Sequence, residues 1–239
     1  KTTDITASSP TWTLVNDFLS NLAVAAICQD PRPGFQNIMY FCTGESYYNA
    51  DAVQGVGVFK STNGGATWSF LSSTSAFVNG TRILCDYLGN VYLATRGSGL
   101  RRSTDGGTTW TNITPTGLVS DICDLEISST SAAGRLHVVS GIFSTQAYRY
   151  TDIPATVAAG TWTAPAAAFP SFAMRCEIAV SGNTLYACPA NASFEVPTIY
   201  KSTNGGANWA ATAAQPTAGW ANGQGWYDLE VGIDPSNSN

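Results

Sequence analysis

The chain has 239 residues, enough to bury one large core, and all-β folds of this length often form a single domain. Only 11% of residues are charged, under half the roughly 25% usual in globular domains, so polarity comes from Ser, Thr, Asn and Gly. A net charge of −5 with eleven Lys and Arg gives no basic stripe for nucleic acid, and no run reaches the roughly 18 apolar residues of a membrane span.

The N-terminus, Lys1-Thr2-Thr3-Asp4, lacks a signal-peptide pattern, which fits a mature protein or an excised fragment. Residues 11–16, with Trp12, read as a lone final strand. Residues 22–72 hold the first full set of strands: Val24–Pro31, then Ile38–Cys42 after a Pro/Gly turn, then Val56–Ser61, then a strand opened by Trp68. A second set spans 80–114, around Arg82–Asp86, Val91–Ala94 and Trp110. A third spans 118–165, around Asp121–Leu125, Leu136–Val139 and Trp162. A fourth spans 172–214, around Met174–Ile178, Leu185–Cys188 and Trp209. Residues 226–239 begin like another first strand. These short runs bounded by Gly, Asn and Pro are the pattern of antiparallel hairpins, and no segment has a sustained helical period.

The repeat is explicit in one motif. Lys60-Ser61-Thr62-Asn63-Gly64-Gly65-Ala66-Thr67-Trp68 returns as Arg102–Trp110, with Ser103, Asp105, Gly107 and Trp110 in register. It returns again as Lys201–Trp209, with Ser202, Asn204, Gly206 and Trp209. Trp at 12, 68, 110, 162 and 209 gives intervals of 56, 42, 52 and 47 residues, near the 40–50 of a four-stranded propeller blade. Asn63, Asp105 and Asn204 suit turns, where a side-chain oxygen takes backbone amides and glycine permits positive φ. Their role is architectural.

At these residues the chain resembles the Asp-box (BNR-repeat) propellers, a superfamily that includes sialidases, xyloglucan-degrading glycosidases, sortilin-type receptors and photosystem assembly factors. The resemblance covers about 11–235 and implies an all-β propeller of four to five blades, part of a larger ring. Missing blades or another chain would complete that ring. Cys42-Thr43-Gly44-Glu45 with Gly55–Ser61 looks particularly like large propeller proteins secreted by Bacteroidota, which places the protein outside the cell or on its surface. Fold does not transfer a reaction, so chemistry must be sought in particular residues.

Sialidases gather arginines around a substrate carboxylate because the guanidinium fork binds it in bidentate fashion. Arg82 and Arg175 lie on first strands, which line a propeller channel, but the family's Arg-Ile-Pro signature is absent. A glycosidase needs two carboxyls roughly 5–10 Å apart. Asp86, Asp124, Glu177 and Glu230 recur on first strands and could face one another; the alternative is that they satisfy backbone amides. Glu45, Tyr47, Tyr48 and Asp51 sit after a second strand, where a binding rim forms, and Trp220 lies in a loop rich in Gly, Asn and Gln. Such rings and amides suit carbohydrate or protein contacts. His137 has no visible partner and reads as an ordinary strand residue. With no Cys-x-x-Cys pair and no cofactor motif, neither metal nor cofactor is expected.

The six cysteines leave two readings open. Cys28 with Cys42, and Cys176 with Cys188, are candidates for disulfides between neighbouring strands; otherwise all six are small buried apolar groups. Cys85 and Cys123 are either buried thiols or a bridge between blades. Function is accordingly expected to be a non-catalytic module for adhesion, glycan binding or scaffolding. The other reading is a glycoside hydrolase whose site is shared with blades outside the chain.

Overall fold

The computed structural model describes residues 1–2, 4–15, 19–131, 133–144, 146–153, 158, 160–167, 169–170, 174–234 and 236–237. Among the described residues, fifteen strands build four antiparallel sheets in chain order. The first contains β1 (Val24–Gln29), β2 (Met39–Thr43), β3 (Val58–Ser61) and β4 (Ser69–Phe70). The second contains β5 (Gly80–Cys85), β6 (Val91–Thr95), β7 (Leu100–Ser103) and β8 (Thr111–Asn112). The third contains β9 (Ile122–Ser128), β10 (Arg135–Ser140) and β11 (Ala147–Asp152), with a single bridge from Tyr150 to Thr163 where a fourth strand would run. The last contains β12 (Cys176–Ser181), β13 (Thr184–Pro189), β14 (Tyr200–Ser202) and β15 (Ala210–Ala211). Among the described residues, helix is confined to one 3-10 turn, Ser72–Thr74.

Each sheet pairs its strands in sequence, so connections are hairpins and no strand crosses over. The first strands β1, β5, β9 and β12 stand side by side. β1 is largely exposed, the second strands are mostly buried, and burial falls from these toward the outer edge. All five residues of β6 are buried, whereas both residues of β4, β8 and β15 are exposed. A strand covered on both faces reads as a continuous apolar run, which is why Val91-Tyr92-Leu93-Ala94 shows no alternation.

The core lies between sheets. Tyr40, Val58, Ile83 and Leu93 fill the first interface; Tyr92, Leu100, Ile122 and Leu136 the second; Tyr148, Cys176, Ile178 and Leu185 the third. Each motif Trp packs toward the preceding sheet. Trp110 meets Phe77, Trp162 donates to the Ile113 carbonyl at 3.2 Å, and Trp209 stands edge-on to Tyr148 and Phe169 at 5.3 Å. Trp68 has no preceding sheet and stays half-buried against Phe41, beside Val24, Ile27 and Val15.

The three repeated hairpins share one hydrogen-bond scheme. Ser61 Oγ donates to Asn63 Oδ1 and accepts from Gly65 N, while Thr67 N donates to Asn63 Oδ1, each at 2.9 Å. Ser103/Asp105 and Ser202/Asn204 repeat it, and the paired glycines take positive φ throughout. Gly206 has a second reason to be glycine, because a Cβ there would overlap the Tyr148 hydroxyl.

Two expected strands do not form among the described residues. Residues 11–15 are irregular and Trp12 is 66% exposed; with no third strand beside it, Thr13 N pairs with the Lys1 carbonyl instead. Residues 226–234 are also irregular, and Leu229 and Val231 pack in a cluster with Cys188 and Val196.

Of the two readings of the cysteines, the candidate disulfides Cys28–Cys42 and Cys176–Cys188 are not formed, since all six cysteines are free. Register explains it. Cys28 faces Tyr40 while Cys42 faces Ala26, and Cys176 faces Pro189 while Cys188 faces Glu177. The thiols point between sheets instead: Cys42 occupies the space that a side chain at Gly80 would need.

Candidate functional site

The first strands of three sheets, the loop after β2 and the C-terminal segment line a half-open cavity of about 390 Å³. Its wall includes Glu45 and Tyr47 from the first sheet, Arg82 from the second, Arg175 and Glu177 from the fourth, and Tyr227 and Glu230 from the C-terminal segment. Residues nearly two hundred positions apart thus share one space.

Arg82 is its electrostatic centre. Nε meets Asp124 Oδ1 at 2.9 Å, and Nη2 lies 3.2, 3.6 and 3.9 Å from oxygens of Glu126, Glu177 and Glu230. Arg175 forms a second anchor. It donates to the carbonyls of Tyr227 at 2.6 Å and Leu229 at 3.0 Å, and it pairs with Glu177. Its guanidinium lies 3.9 Å from the centre of the Tyr47 ring, and Tyr47 meets Tyr227 edge-on at 6.4 Å. Arg175 Nε has no partner among the described residues.

Burial pushes the Glu126 and Glu177 carboxyls up to about 8, and the charge of Asp124 adds to the rise. Arg82 opposes that shift in both, and Arg175 in Glu177, without cancelling it. Burial thus works against ionisation of both carboxyls, while the guanidinium contacts work for it. Arg82 itself is held more firmly charged, chiefly by Asp124. Burial likewise pushes the Tyr47 hydroxyl up.

The sequence candidates separate into groups. Asp124, Glu177, Glu230, Arg82, Arg175, Glu45 and Tyr47 meet in or beside the cavity. Asp124 is also spent on structure, since it accepts from the amides of Leu125 and Ile178, each at 2.8 Å, tying the third sheet to the fourth. Asp86 stands apart. It is buried, and it holds its own turn by accepting from Leu88 N, Asn90 N, Asn90 Nδ2 and Tyr92 OH. Asp51 accepts from Asn49 on the loop surface. Tyr48 lies under Arg96 at 4.2 Å and edge-on to Phe143, and Trp220 donates to the Val196 carbonyl; neither lines the cavity. Glu126 was not singled out from sequence, although its spacing of two from Asp124 on one strand places both on the same face. His137 is fully buried between Ser128 Oγ at 2.8 Å and Tyr148 OH at 2.7 Å, and burial lowers it to about 3.

Among the described residues, no group of three or more His, Cys, Asp or Glu side chains is arranged to hold a metal ion, and no helix is long and apolar enough to cross a membrane.

No known family matches the chain, and no curated protein does. Solved structures do. The chain is similar to the GH74 xyloglucanase of Xanthomonas campestris, with a TM-score of 0.57 and 16% identity over 91% of this chain and 43% of that one. The fold is a β-propeller. A GH74 enzyme from Niastella koreensis is similar with a TM-score of 0.50 and 20% identity, over 79% of this chain and 38% of that one. A Hadza microbial sialidase gives 0.51 and 14%, over 82% and 48%. The propeller chain spans less than half the length of each. At such identities the likeness speaks for the fold alone.

Proposed function

We propose that the chain is a glycan-binding propeller module of a secreted or cell-surface protein, and that it takes neutral sugar units at the central cavity. One observation carries the reading: Glu45, Tyr47, Arg82, Arg175, Glu177, Tyr227 and Glu230 converge on a single space of about 390 Å³. Sugars are recognised by ring faces together with dense hydrogen-bond donors and acceptors. The tyrosines supply the first. The carboxyls of Glu177 and of the exposed Glu230, together with the Glu45 carboxylate, supply the second. An anionic sugar is disfavoured, because both guanidiniums are already committed to carboxylates and backbone carbonyls. The repeated hairpins read as Asp boxes like those of propellers secreted by Bacteroidota, which supports the extracellular placement. The half-buried Trp68, without the neighbouring sheet that each other motif Trp has, supports further blades in the ring.

A second reading is favoured by one feature. Glu177, whose carboxyl burial pushes up, and Glu230, open to solvent, lie 3.6 and 3.9 Å from the same Arg82 nitrogen. Their nearest oxygens are therefore at most about 7.5 Å apart, within the upper limit that glycosidases use for an acid and its partner. Against it, Glu177 is pinned by two arginines, and Asp124 by two amides.

Calorimetry with neutral oligosaccharides, run beside a reducing-end assay, separates the two. Binding without product, weakened about tenfold by Tyr227→Ala, supports the module. Product formation abolished by Glu177→Gln would establish the hydrolase, and no binding to any neutral glycan would sink both.

A further inference from the structure

Cys28 and Cys85 sit on the first strands of adjacent sheets, and their sulfurs are 3.5 Å apart. Both are half-buried, whereas Cys42, Cys123, Cys176 and Cys188 are buried. The pair occupies the closing ends of β1 and β5. The cavity is lined by the opposite ends of those strands, at Val24, Ala25, Gly80, Thr81 and Arg82. We propose that Cys28 and Cys85 are a covalent modification site: under oxidising conditions they form a disulfide that staples the first blade to the second.

The geometry makes this pair stand out from the in-blade pairs that the sequence offers. A disulfide places its sulfurs about 2.05 Å apart, so these two must close by roughly 1.5 Å. Within the first sheet, Cys28 and Cys42 are displaced by two residues in register, which puts them diagonal to each other. Cys176 and Cys188 are displaced by one, which puts them on opposite faces of their sheet.

The oxidant is a small-molecule disulfide such as oxidised glutathione. One cysteine thiolate attacks it, forming a mixed disulfide and releasing one glutathione thiol. The second cysteine thiolate then displaces the other glutathione and closes the Cys28–Cys85 bond. Two protein thiols have lost two electrons and two protons, and one oxidised glutathione has become two reduced ones. The new bond joins positions 57 residues apart, and a loop of that size is strongly restricted in the unfolded chain. It leaves the lining of the cavity untouched, so its success or failure is independent of the glycan reading.

The test uses the whole chain equilibrated with oxidised glutathione, alkylated and digested without reductant. Chymotrypsin cuts after Phe35, Tyr40 and Phe41, which separates Cys28 from Cys42 before mass spectrometry. A linked peptide pair containing Cys28 and Cys85, lost on adding dithiothreitol, is the expected result. The oxidised protein should melt roughly 5–10 °C higher than the reduced one. That gain should vanish in both Cys28→Ser and Cys85→Ser. Should either variant fail to fold, the peptide map of the unaltered chain still decides. Glutathione adducts without a protein disulfide, a bond from Cys28 to Cys42, or six thiols that all remain open to alkylation would each overturn the proposal.

Discussion

Replacing Arg82 with Met removes the charge at the centre of the cavity while retaining much of the apolar stem. Asp124 and Glu177 are almost completely buried, at 1% and 4% side-chain exposure, and Arg82 approaches them at 2.9 and 3.6 Å. Removing one partner of a buried ion pair costs about 3–5 kcal/mol, because the remaining charge is left uncompensated. Protonation sets how that loss depends on pH. The Glu126 and Glu177 carboxyls are raised to about 8 in the folded chain, against an ordinary 4.5. Their contribution to stability is fully present below the unfolded value and is lost as pH rises through the folded one. Arg82 makes both carboxyls more acidic, so its removal weakens their acidity further. Each tenfold weakening costs about 1.4 kcal/mol once the medium is alkaline enough to expose it. The penalty of Arg82→Met should therefore be larger at about pH 9 than at about pH 5. Urea unfolding followed by tryptophan fluorescence at the two pH values measures it. A penalty below about 1 kcal/mol, or one identical at both, would refute the view that this arginine holds the carboxyl cluster.

Two further outcomes follow from the packing. Trp209 is 9% exposed between two aromatic rings, so Trp209→Ala should cost about 3–5 kcal/mol. Trp68→Ala should cost clearly less, because Trp68 has no preceding sheet to bury it; equal losses in denaturant titrations would contradict that arrangement. His137 is lowered to about 3 by burial, so the stability it secures is present above its ordinary 6.5 and is lost as pH falls toward 3. The wild type should lose about 1.4 kcal/mol per pH unit to this group across that window, and His137→Gln should lack that component. Parallel slopes for the two proteins would show that the imidazole is not held neutral.

Much of the fold was legible in the chain because its determinants are local. Ser61, Asn63 and Gly65 complete their turn within five residues, and the same is true of Ser103–Gly107 and Ser202–Gly206, so the hairpin repeats wherever the motif does. The short β-rich runs between turns gave four sets of strands for the same reason. Residues 11–15 and 226–234 misled because a run of strand-forming residues becomes a strand only when a neighbour completes its ladder.

The site was less legible. Sequence could place Asp86, Asp124 and Glu177 in one periodic series, yet Asp86 turns onto its own hairpin and Asp124 braces two sheets, while Glu177 faces the cavity. Equivalent positions in a repeat share a backbone setting, but the neighbours of their side chains differ from blade to blade. The cysteines show the same division. Chain order pointed to partners across a hairpin, where a shift of one or two residues in register moves a thiol out of reach. Only the stacking of one sheet on the next brought Cys28 to Cys85, and only that stacking gathered Arg82, Glu126, Glu177 and Glu230. By itself the sequence determined the repeat, the hairpins and the sheets, since these rest on contacts within a few residues or between adjacent strands. The tertiary structure decided which charges share low-dielectric space and which thiols touch, because those distances arise from the relative placement of blades far apart in the chain.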